Sequence, residues 1–417
     1  MGKQKTVYVL GAGFSAAANF PLQNQLLSEI KSGLALGFNK VHSDDVLVDN
    51  QEKIKSFCHT VFPSSEEDQP MEDVFTILDQ VIASRGHFAK YSTPELIEIR
   101  DAFIYCILRF LFNQSEQYLK KNDTLYRRFA SHILRERISA GQVGDPLSIV
   151  SLNWDSLFED AFVEVLKSVD GQRKGDIDYC VYTTPLPESL HCPSTKQKAA
   201  GLFNVKLLKL HGSVTWLRCP NSNHIYTGIG SSKDAFNTYL RERKSPFIAD
   251  NYPDSRENQS FPLLEPYLIT PTYAKVFDQP HIQTTWHNAY VELREASKVV
   301  FIGYSLPESD YHFRTLLRRA IRTETDIELV LYENDRPKKP EYDSTDIAQE
   351  PPPSTTLNRY QKLFGRERVK PPKHARFDGV KAYVNEMLPE DQFKGLLAEI
   401  KTKLKKHEIF NPFICLP

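Results

Sequence analysis

Residues 6–15 read Thr-Val-Tyr-Val-Leu-Gly-Ala-Gly-Phe-Ser, and this stretch decides the fold class. Its first five residues are rich in β-branched and aromatic side chains, which predicts a buried strand over 6–10. Gly11 and Gly13 follow at once, and glycines there permit a tight turn that brings backbone N–H groups towards a ligand at the next helix. The motif alone fits a turn that binds nothing equally well, because it lacks the third glycine of G-x-G-x-x-G.

Five more short runs further along the chain have the same character. They cover residues 147–152, 205–210, 266–270, 298–303 and 327–332. Near-continuous apolar runs are typical of parallel strands that are buried on both faces, and helical patterns lie between these runs. The sequence therefore predicts an α/β fold with a doubly wound, Rossmann-type, mostly parallel sheet.

The long interval between the first two strands predicts a large helical insertion at residues 22–145. Apolar residues recur there at three- and four-residue spacing, most clearly in 70–84, 94–112 and 123–139. Residues 213–265 show little periodicity and predict a second, loop-rich insertion.

Both insertions belong to one predicted domain, residues 1–335. A Pro- and charge-rich linker is expected at 336–356 and a helical extension at 357–417.

Composition excludes several classes of protein. Lys and Arg total 52 and Asp and Glu total 53, so the net charge of −1 indicates neither direct nucleic-acid binding nor a membrane surface. No apolar stretch reaches the roughly 18 residues of a membrane span, and the first apolar run is too short for a secretory signal. The six cysteines are scattered without a C-x-x-C pair, which favours a reduced, cytoplasmic protein without a structural metal.

Polar residues follow two of the predicted strands. Asn153 and Asp155 come after the strand at 147–152, and His211 comes after the strand at 205–210. The carboxyl ends of parallel strands form the ligand-binding edge of such sheets, and an imidazole can accept a proton near neutral pH. The alternatives are a helix N-cap for Asp155, a loop hydrogen bond for Asn153 and a packed or surface role for His211.

Two further clusters end later strands. Gly303 and Ser305 can present an N–H and a hydroxyl to phosphate or ribose, and Glu333 and Asn334 can bind ribose hydroxyls or an adenine edge. Turn formation before Arg336 is the alternative for the last pair. Because all five clusters end predicted sheet strands, we expect them to converge on one crevice.

In this order the motifs resemble the sirtuin superfamily. Residues 11–15 with Pro21 are similar to the family's G-A-G-x-S…P opening, and Asn153 and Asp155 are similar to its N-x-D element. His211-Gly212 is similar to its catalytic H-G pair. Gly303 and Ser305 are similar to its G-x-S element, and Asn334 is similar to its later strand-end Asn. The chain differs from deacylase sirtuins in two respects. Only Cys219 lies near the place of their four-cysteine zinc module, and residues 19–24 read Asn-Phe-Pro-Leu-Gln-Asn instead of G-I-P-x-F-R.

This combination is similar to the bacterial sirtuin-like NAD⁺ hydrolases of antiphage defence. The resemblance implies NAD⁺ as substrate without a metal, cleaved with the help of Asn153, His211 and Asp155. It also implies NAD⁺-binding residues, namely Gly11, Ala12, Gly13, Phe14, Ser15, Gly303, Ser305, Glu333 and Asn334. Asp155 is expected to bind or to stabilise positive charge, if it does not merely cap its helix.

An enzyme that destroys NAD⁺ needs control, so a homo-oligomer or a partner is expected. Some relatives operate with an ATPase of the HerA type. Two other functions stay open, namely an NAD⁺-dependent protein deacylase and a non-catalytic module that senses NAD⁺ or ADP-ribose.

Overall fold

A computed structural model describes most of the chain. The described residues are 4–32, 45–63, 69–119, 123–141, 144–169, 175–185, 203–220, 222–227, 265–273, 275, 279–335 and 355–406. The predicted linker at 336–356 and most of the segment after residue 227 that was expected to be loop-rich lie outside these ranges. Among the described helices, none is both long and apolar enough to cross a membrane.

Seven parallel strands form the main sheet, in the order β11-β10-β9-β1-β2-β5-β3. This confirms the predicted α/β class and the predicted strands that begin at residues 6, 147, 205, 298 and 327. The strands of the structure, in chain order, are β1 (Thr6–Leu10), β2 (Leu147–Ser151), β3 (Ile177–Asp178), β4 (Thr184–Pro185), β5 (Val205–Lys209), β6 (Gly212–Arg218), β7 (Ile225–Thr227), β8 (Glu265–Leu268), β9 (Lys298–Ile302), β10 (Asp326–Val330) and β11 (Ala375–Arg376).

The alternation of side chains along β1 shows how the sheet is covered. Val7 and Val9 join the hydrophobic cluster on one face, while Tyr8 and Leu10 join the cluster on the other. Successive strand residues point to opposite faces, so a strand that is apolar throughout must be buried on both. Helices therefore cover both faces, which is the doubly wound arrangement.

Each face has its own helices. Helices α6, α7, α11 and α12 contribute to the cluster around Tyr8, and α8, α9 and α10 contribute to the cluster around Val7. The helices are α1 (Ala12–Ala16), α2 (Gln23–Ser32), α3 (Asp45–Val61), α4 (Met71–Ala83), α5 (Thr93–Leu119), α6 (Leu125–Ser139), α7 (Leu157–Val169), α8 (Pro280–Glu295), α9 (Tyr311–Ala320), α10 (Thr356–Phe364), α11 (Gly379–Met387) and α12 (Phe393–Lys406).

Strand β1 lies where the direction of strand addition reverses. The chain runs from β1 to β2 and β5 on one side, and it later crosses to β9 and β10 on the other side. The register pairs Leu10 with both Ser151 and Ile302, so these three strands end at the same level. Ligands bind at such switch points in doubly wound sheets, which places the loops after β1, β2 and β9 at the expected edge.

The strand predicted at 266–270 does not belong to the main sheet. β8 pairs antiparallel with β6 in a second, four-stranded sheet of order β4-β7-β6-β8. Tyr267 is the one buried residue of β8; Glu265 is exposed and the other two residues are partly buried, as is expected at the edge of a sheet. A five-residue apolar run cannot distinguish that position from a core strand, which is the physical reason for the error.

The helical insertion between β1 and β2 comprises α2 to α6 and packs mainly inward. Most apolar residues of α5 are buried in the core, including Phe103, Ile107 and Phe110. The segment expected to be a C-terminal helical extension also supplies β11 to the edge of the main sheet, and α11 and α12 pack on α6. The segment expected to be loop-rich, 213–265, likewise contains regular structure, because most of β6 and all of β7 lie in it.

Candidate active site

The turn after β1 packs directly against the turn after β9. Gly13 N donates to Gly303 O at 2.7 Å, and Gly11 N donates to Ile302 O at 3.1 Å. Gly303 has a φ of +62°, and a Cβ atom there would lie 2.2 Å from Phe14 N. Here glycine is required by the close approach of two backbones, which explains both Gly-containing motifs without reference to a ligand.

Replacing Gly303 by alanine should therefore damage the fold at this edge. We expect Gly303→Ala to lose about 3 kcal/mol or more of stability, because the added methyl group meets backbone and φ stays positive. The measurement is urea unfolding followed by circular dichroism. Gly141→Ala is the matched control, because Gly141 also has a positive φ, of +74°, but nothing lies within 4 Å of the added Cβ. Equal losses in the two variants would contradict the backbone contact as the cause.

Asn153 joins the loop after β2 to the turn after β1. Its Nδ2 donates to Gly11 O at 2.9 Å and to Ser15 Oγ at 3.1 Å. The carbonyl oxygen of Gly11 can only accept, so the amide orientation is determined, and both N–H groups are used. The Oδ1 atom of Asn153 makes no hydrogen bond to the residues that the structure describes, and it remains an acceptor at the strand edge.

Asp155 is held by two contacts of its carboxylate. Oδ2 accepts from Ser15 Oγ at 2.8 Å, and Oδ1 accepts from the backbone N–H of Leu157 at 3.1 Å, in the first turn of α7. Asp155 is buried. The bond to Leu157 satisfies the first N–H of α7, as the helix-cap alternative expects of a capping group, although Ser156 and not Asp155 directly precedes the helix. The bond to Ser15 orients the hydroxyl that Asn153 also contacts.

His211 lies two residues beyond the end of β5 and beside the loop after β2. Its Nδ1 is 3.1 Å from Leu152 O, and only a protonated Nδ1 can make this hydrogen bond to a carbonyl. Burial, reinforced by the nearby Lys275 ammonium, lowers the pKa of His211 to about 4. The ring is therefore neutral at physiological pH, with its lone pair on Nε2.

The glycine after His211 has a structural explanation. Gly212 has a φ of +73°, and a Cβ atom there would lie 2.1 Å from Tyr267 O on β8. The second sheet thus fills the space beside Gly212, and the H-G pair is the point where β5 turns into β6.

Sequence reasoning missed two charged residues beside His211. Lys275 Nζ lies 3.5 Å from His211 Nε2 and 2.5 Å from Asp310 Oδ1, and Tyr304 donates its hydroxyl to Asp310 Oδ2 at 2.9 Å. Lys275 comes from a segment without periodicity and Asp310 immediately precedes α9, so neither lies in a motif. Of Lys275, Asp310 and Tyr304, Tyr304 alone follows a predicted buried strand, and this position was the one sequence signal for the group.

The remaining predicted site residues lie in the loops after β9 and β10, where Ser305 and Asn334 are more exposed than Asp155 and His211. The side chains of Ser305 and Asn334 are exposed, and Ser305 O accepts from Arg359 Nε at 2.9 Å. Glu333 begins a single 3₁₀ turn, and its side chain lies outside the described part of the chain. Tyr332, next to this turn, donates its hydroxyl to Gly13 O at 2.7 Å, which connects the end of β10 to the first turn.

Among the described residues, three carboxylates lie close enough together to hold a metal ion. Asp145, Glu292 and Glu295 lie at the opposite edge of the sheet. Lys5 contacts all three carboxylates within 2.9 Å, and Lys206 contacts two of them. With these two ammonium groups, the carboxylates form an ion-pair network that joins the beginnings of β1 and β5 to α8. Cys192 and Cys415 lie outside the described ranges.

The fold and these contacts together define a doubly wound α/β protein with a polar site at the switch point of its sheet. Residues 147–348 match the family model of the SIR2-like domain, which supports a relation of this part of the chain to the sirtuin-like superfamily. The match includes Asn153, Asp155, His211, Gly303 and Asn334, and it begins after the glycine motif at 11–15.

Solved structures of Sir2 proteins are also similar to the chain over most of its length. One, described as a structural basis for the mechanism and regulation of Sir2 enzymes, is 13% identical, with 97% of this chain and 93% of that chain covered and a TM-score of 0.35. A mutant Sir2 homologue with ADP-ribose is 12% identical, with 97% and 96% covered and a TM-score of 0.37. No curated protein matches the chain.

Proposed function

We propose that the chain is an NAD⁺ glycohydrolase, which cleaves NAD⁺ to nicotinamide and ADP-ribose. The observation that carries the proposal is the pair formed by Asn153 and His211 at neighbouring strand ends. One offers a fixed amide oxygen without a partner among the described residues, and the other a neutral imidazole whose Nδ1 proton is held by Leu152 O. An acceptor for hydroxyl groups and a base are the two groups that hydrolysis at a ribose carbon needs.

The chemistry follows from these roles. The bond between the ribose C1 and the nicotinamide nitrogen breaks, and nicotinamide leaves as a neutral molecule with the bonding electron pair. Asn153 Oδ1 accepts a hydrogen bond from a ribose hydroxyl or from the attacking water, and water forms the new bond to C1. His211 Nε2 takes the proton that this step releases, and it later passes the proton to solvent. Asp155 acts through Ser15, whose hydroxyl it orients.

We assign the rest of the substrate to the loops around these two residues. The turn at 11–15, with Gly303 and Ser305, is proposed to lie against the diphosphate, and Glu333 and Asn334 against the adenosine end. Ala12 and Ser305 are exposed at the surface of this edge. The N–H groups of Gly11 and Gly13 already donate to the loop after β9, so these glycines shape the turn and other groups must contact the diphosphate.

The biological role we propose is depletion of NAD⁺ as an antiphage defence effector, without a metal cofactor and within the cytoplasm. We also propose a HerA-type ATPase as partner, on the basis of the sequence resemblance. The helical insertion offers a route for control. In α4, Thr76 contacts Thr272 and Tyr273, and Glu72 contacts Ser309, next to the segments that carry Lys275 and Asp310.

The decisive experiment is incubation of the purified protein with NAD⁺, alone and with the products of neighbouring genes. We expect nicotinamide and ADP-ribose to appear in equal amounts. Acetyl-ADP-ribose formed only with an acetylated peptide would show a deacylase instead, and retention of intact NAD⁺ or ADP-ribose without turnover would show a sensing module. Either result would overturn the proposed hydrolase.

We also expect the rate of NAD⁺ cleavage to depend on assembly. An unregulated enzyme would drain its own cell, so a homo-oligomer or a partner should set the active state. Light scattering and turnover, measured together across a wide range of protein concentration, test this. A strictly monomeric protein with high, concentration-independent specific activity, unaffected by any neighbouring gene product, would rule the expectation out.

A further inference from the structure

Four side chains form a continuous chain of contacts beside the proposed base. His211 Nε2 faces Lys275 Nζ, Lys275 pairs with Asp310, and Asp310 accepts a hydrogen bond from the Tyr304 hydroxyl. The side chains of Lys275 and Asp310 are 7% and 13% exposed. A buried ion pair is costly to desolvate and is retained where its geometry serves a purpose, so its place against one imidazole nitrogen needs a reason.

The geometry limits what the Lys275 ammonium can do to His211. Its distance of 3.5 Å from Nε2 is longer than an ordinary hydrogen bond, while its contact with Asp310 is 2.5 Å. Lys275 is therefore bound mainly to Asp310 and acts on the ring chiefly through its charge. A cation beside Nε2 disfavours a proton there and leaves the proton on Nδ1, where Leu152 O accepts it.

We propose that Lys275, held by Asp310, is a positioning residue that keeps His211 neutral with its lone pair on Nε2. The inference rests on the proposed NAD⁺ cleavage, because only the neutral ring can act as the base of that reaction. Lys275 touches the base and need not touch the substrate.

The surroundings of the ion pair hold it in this position. Tyr304 anchors Asp310, and Tyr360 donates to Tyr304 O at 3.0 Å from α10. Burial by itself raises the pKa of Asp310, but Lys275, His211 and the Tyr304 hydroxyl outweigh it and keep the pKa below its usual value. Asp310 therefore stays ionised and retains Lys275.

Other titratable groups near the pair come from α4 and α9. Glu72 lies near Asp310, and burial, with Asp310 adding to it, raises the pKa of Glu72. His312 lies near Lys275, and burial followed by Lys275 lowers its pKa. Neither is among the groups that determine the pKa of His211, which are Lys275, Asp310 and the Leu152 carbonyl after burial. The protonation of His211 should therefore follow changes at Lys275 and Asp310.

The test is a pH titration of the full-length protein labelled with ¹⁵N-histidine, in which the His211 signal is assigned with His211→Gln. In the wild type we expect a neutral ring protonated on Nδ1, which titrates only at acid pH. Lys275→Met should raise the His211 midpoint by about one pH unit or more, because the positive charge beside Nε2 is removed. Lys275→Arg should keep the midpoint low, and Asp310→Asn should not raise it.

Controls and a second variant keep the result decisive. Lys362→Met, at an exposed position on α10, should leave the midpoint unchanged. Lys275→Met leaves Asp310 buried without its cation and can impair folding, so the double variant Lys275→Met/Asp310→Asn is measured as well, and its midpoint should also exceed that of the wild type. An unchanged midpoint in folded Lys275→Met and in the folded double variant, or a wild-type ring protonated on Nε2, would overturn the proposal.

Turnover separates this inference from the proposed function. In an active enzyme, the acid limb of kcat should move to higher pH in Lys275→Met by the same amount as the ¹⁵N midpoint, while KM for NAD⁺ changes little. A limb that stays in place while the midpoint moves would overturn the role of Lys275 in catalysis. Absence of nicotinamide release by the wild type would overturn the proposed function instead, and the ¹⁵N titration would still decide where the His211 proton lies.

Discussion

His211→Ala and Asn153→Ala should each reduce NAD⁺ cleavage by a factor on the order of 10² to 10⁴, to the limit of detection in most assays. His211→Ala removes the only base that the proposal assigns. Asn153→Ala removes the Oδ1 acceptor and also the two Nδ2 contacts with Gly11 O and Ser15 Oγ. The measurement is single-turnover release of nicotinamide at saturating NAD⁺.

The two variants differ in their structural cost, which the stability control must separate. Loss of the Asn153 contacts should cost about 1–2 kcal/mol, since two ordinary hydrogen bonds are removed. Loss of the buried His211 ring should cost about 2–3 kcal/mol, because it removes one hydrogen bond and leaves a cavity. Both proteins should therefore remain folded. His59→Ala, an exposed histidine on α3, serves as the matched control and should keep full activity. Full turnover by either folded site variant would remove that residue from the mechanism.

The main sheet could be predicted because its strands carry their own signal. Each of the runs that begin at residues 6, 147, 205, 298 and 327 is apolar on both faces, and that pattern follows directly from burial between two helical layers. The ends of these strands could be predicted for the same reason. The polar groups that follow them, such as Asn153 and His211, then lie at one edge by topology alone.

The contacts that define the site could not be predicted in the same way. Lys275 reaches His211 from 64 positions further along the chain, and Asp310 reaches Lys275 from another 35. Both lie in loops whose path depends on tertiary packing, so no local periodicity marks them. The close contact at Gly212 could not be predicted for a related reason, because the backbone that approaches it belongs to β8, the strand that the sequence placed in the wrong sheet.

A second buried ion pair lies beneath the site and supports it. Lys209, at the end of β5, pairs with Glu159 of α7 at 3.1 Å, and both side chains are almost completely buried. Lys209 Nζ also donates to Asp155 O at 2.6 Å, at the loop that carries Asn153. Burial raises the pKa of Glu159, while Lys209 opposes that rise and favours the ionised form.

Lys209→Met should therefore lower the free energy of unfolding by about 3–5 kcal/mol at neutral pH, because Glu159 is left buried without its cation. Without Lys209 the pKa of Glu159 in the folded state rises further above its unfolded value, so the penalty is complete at high pH and shrinks as acidification protonates Glu159. Urea unfolding between about pH 5 and pH 8 measures both effects. Adding Glu159→Leu should restore most of the loss, since an apolar pair of similar volume carries no unpaired charge.

Lys298→Met is the matched control for Lys209→Met. Lys298 is also a lysine of the main sheet that pairs with a glutamate, Glu328, but this pair is partly exposed. That variant should lose no more than about 1 kcal/mol. Equal losses at Lys209 and Lys298, or a loss at Lys209 that does not change with pH, would show that burial of the Glu159 charge is not what makes the pair essential.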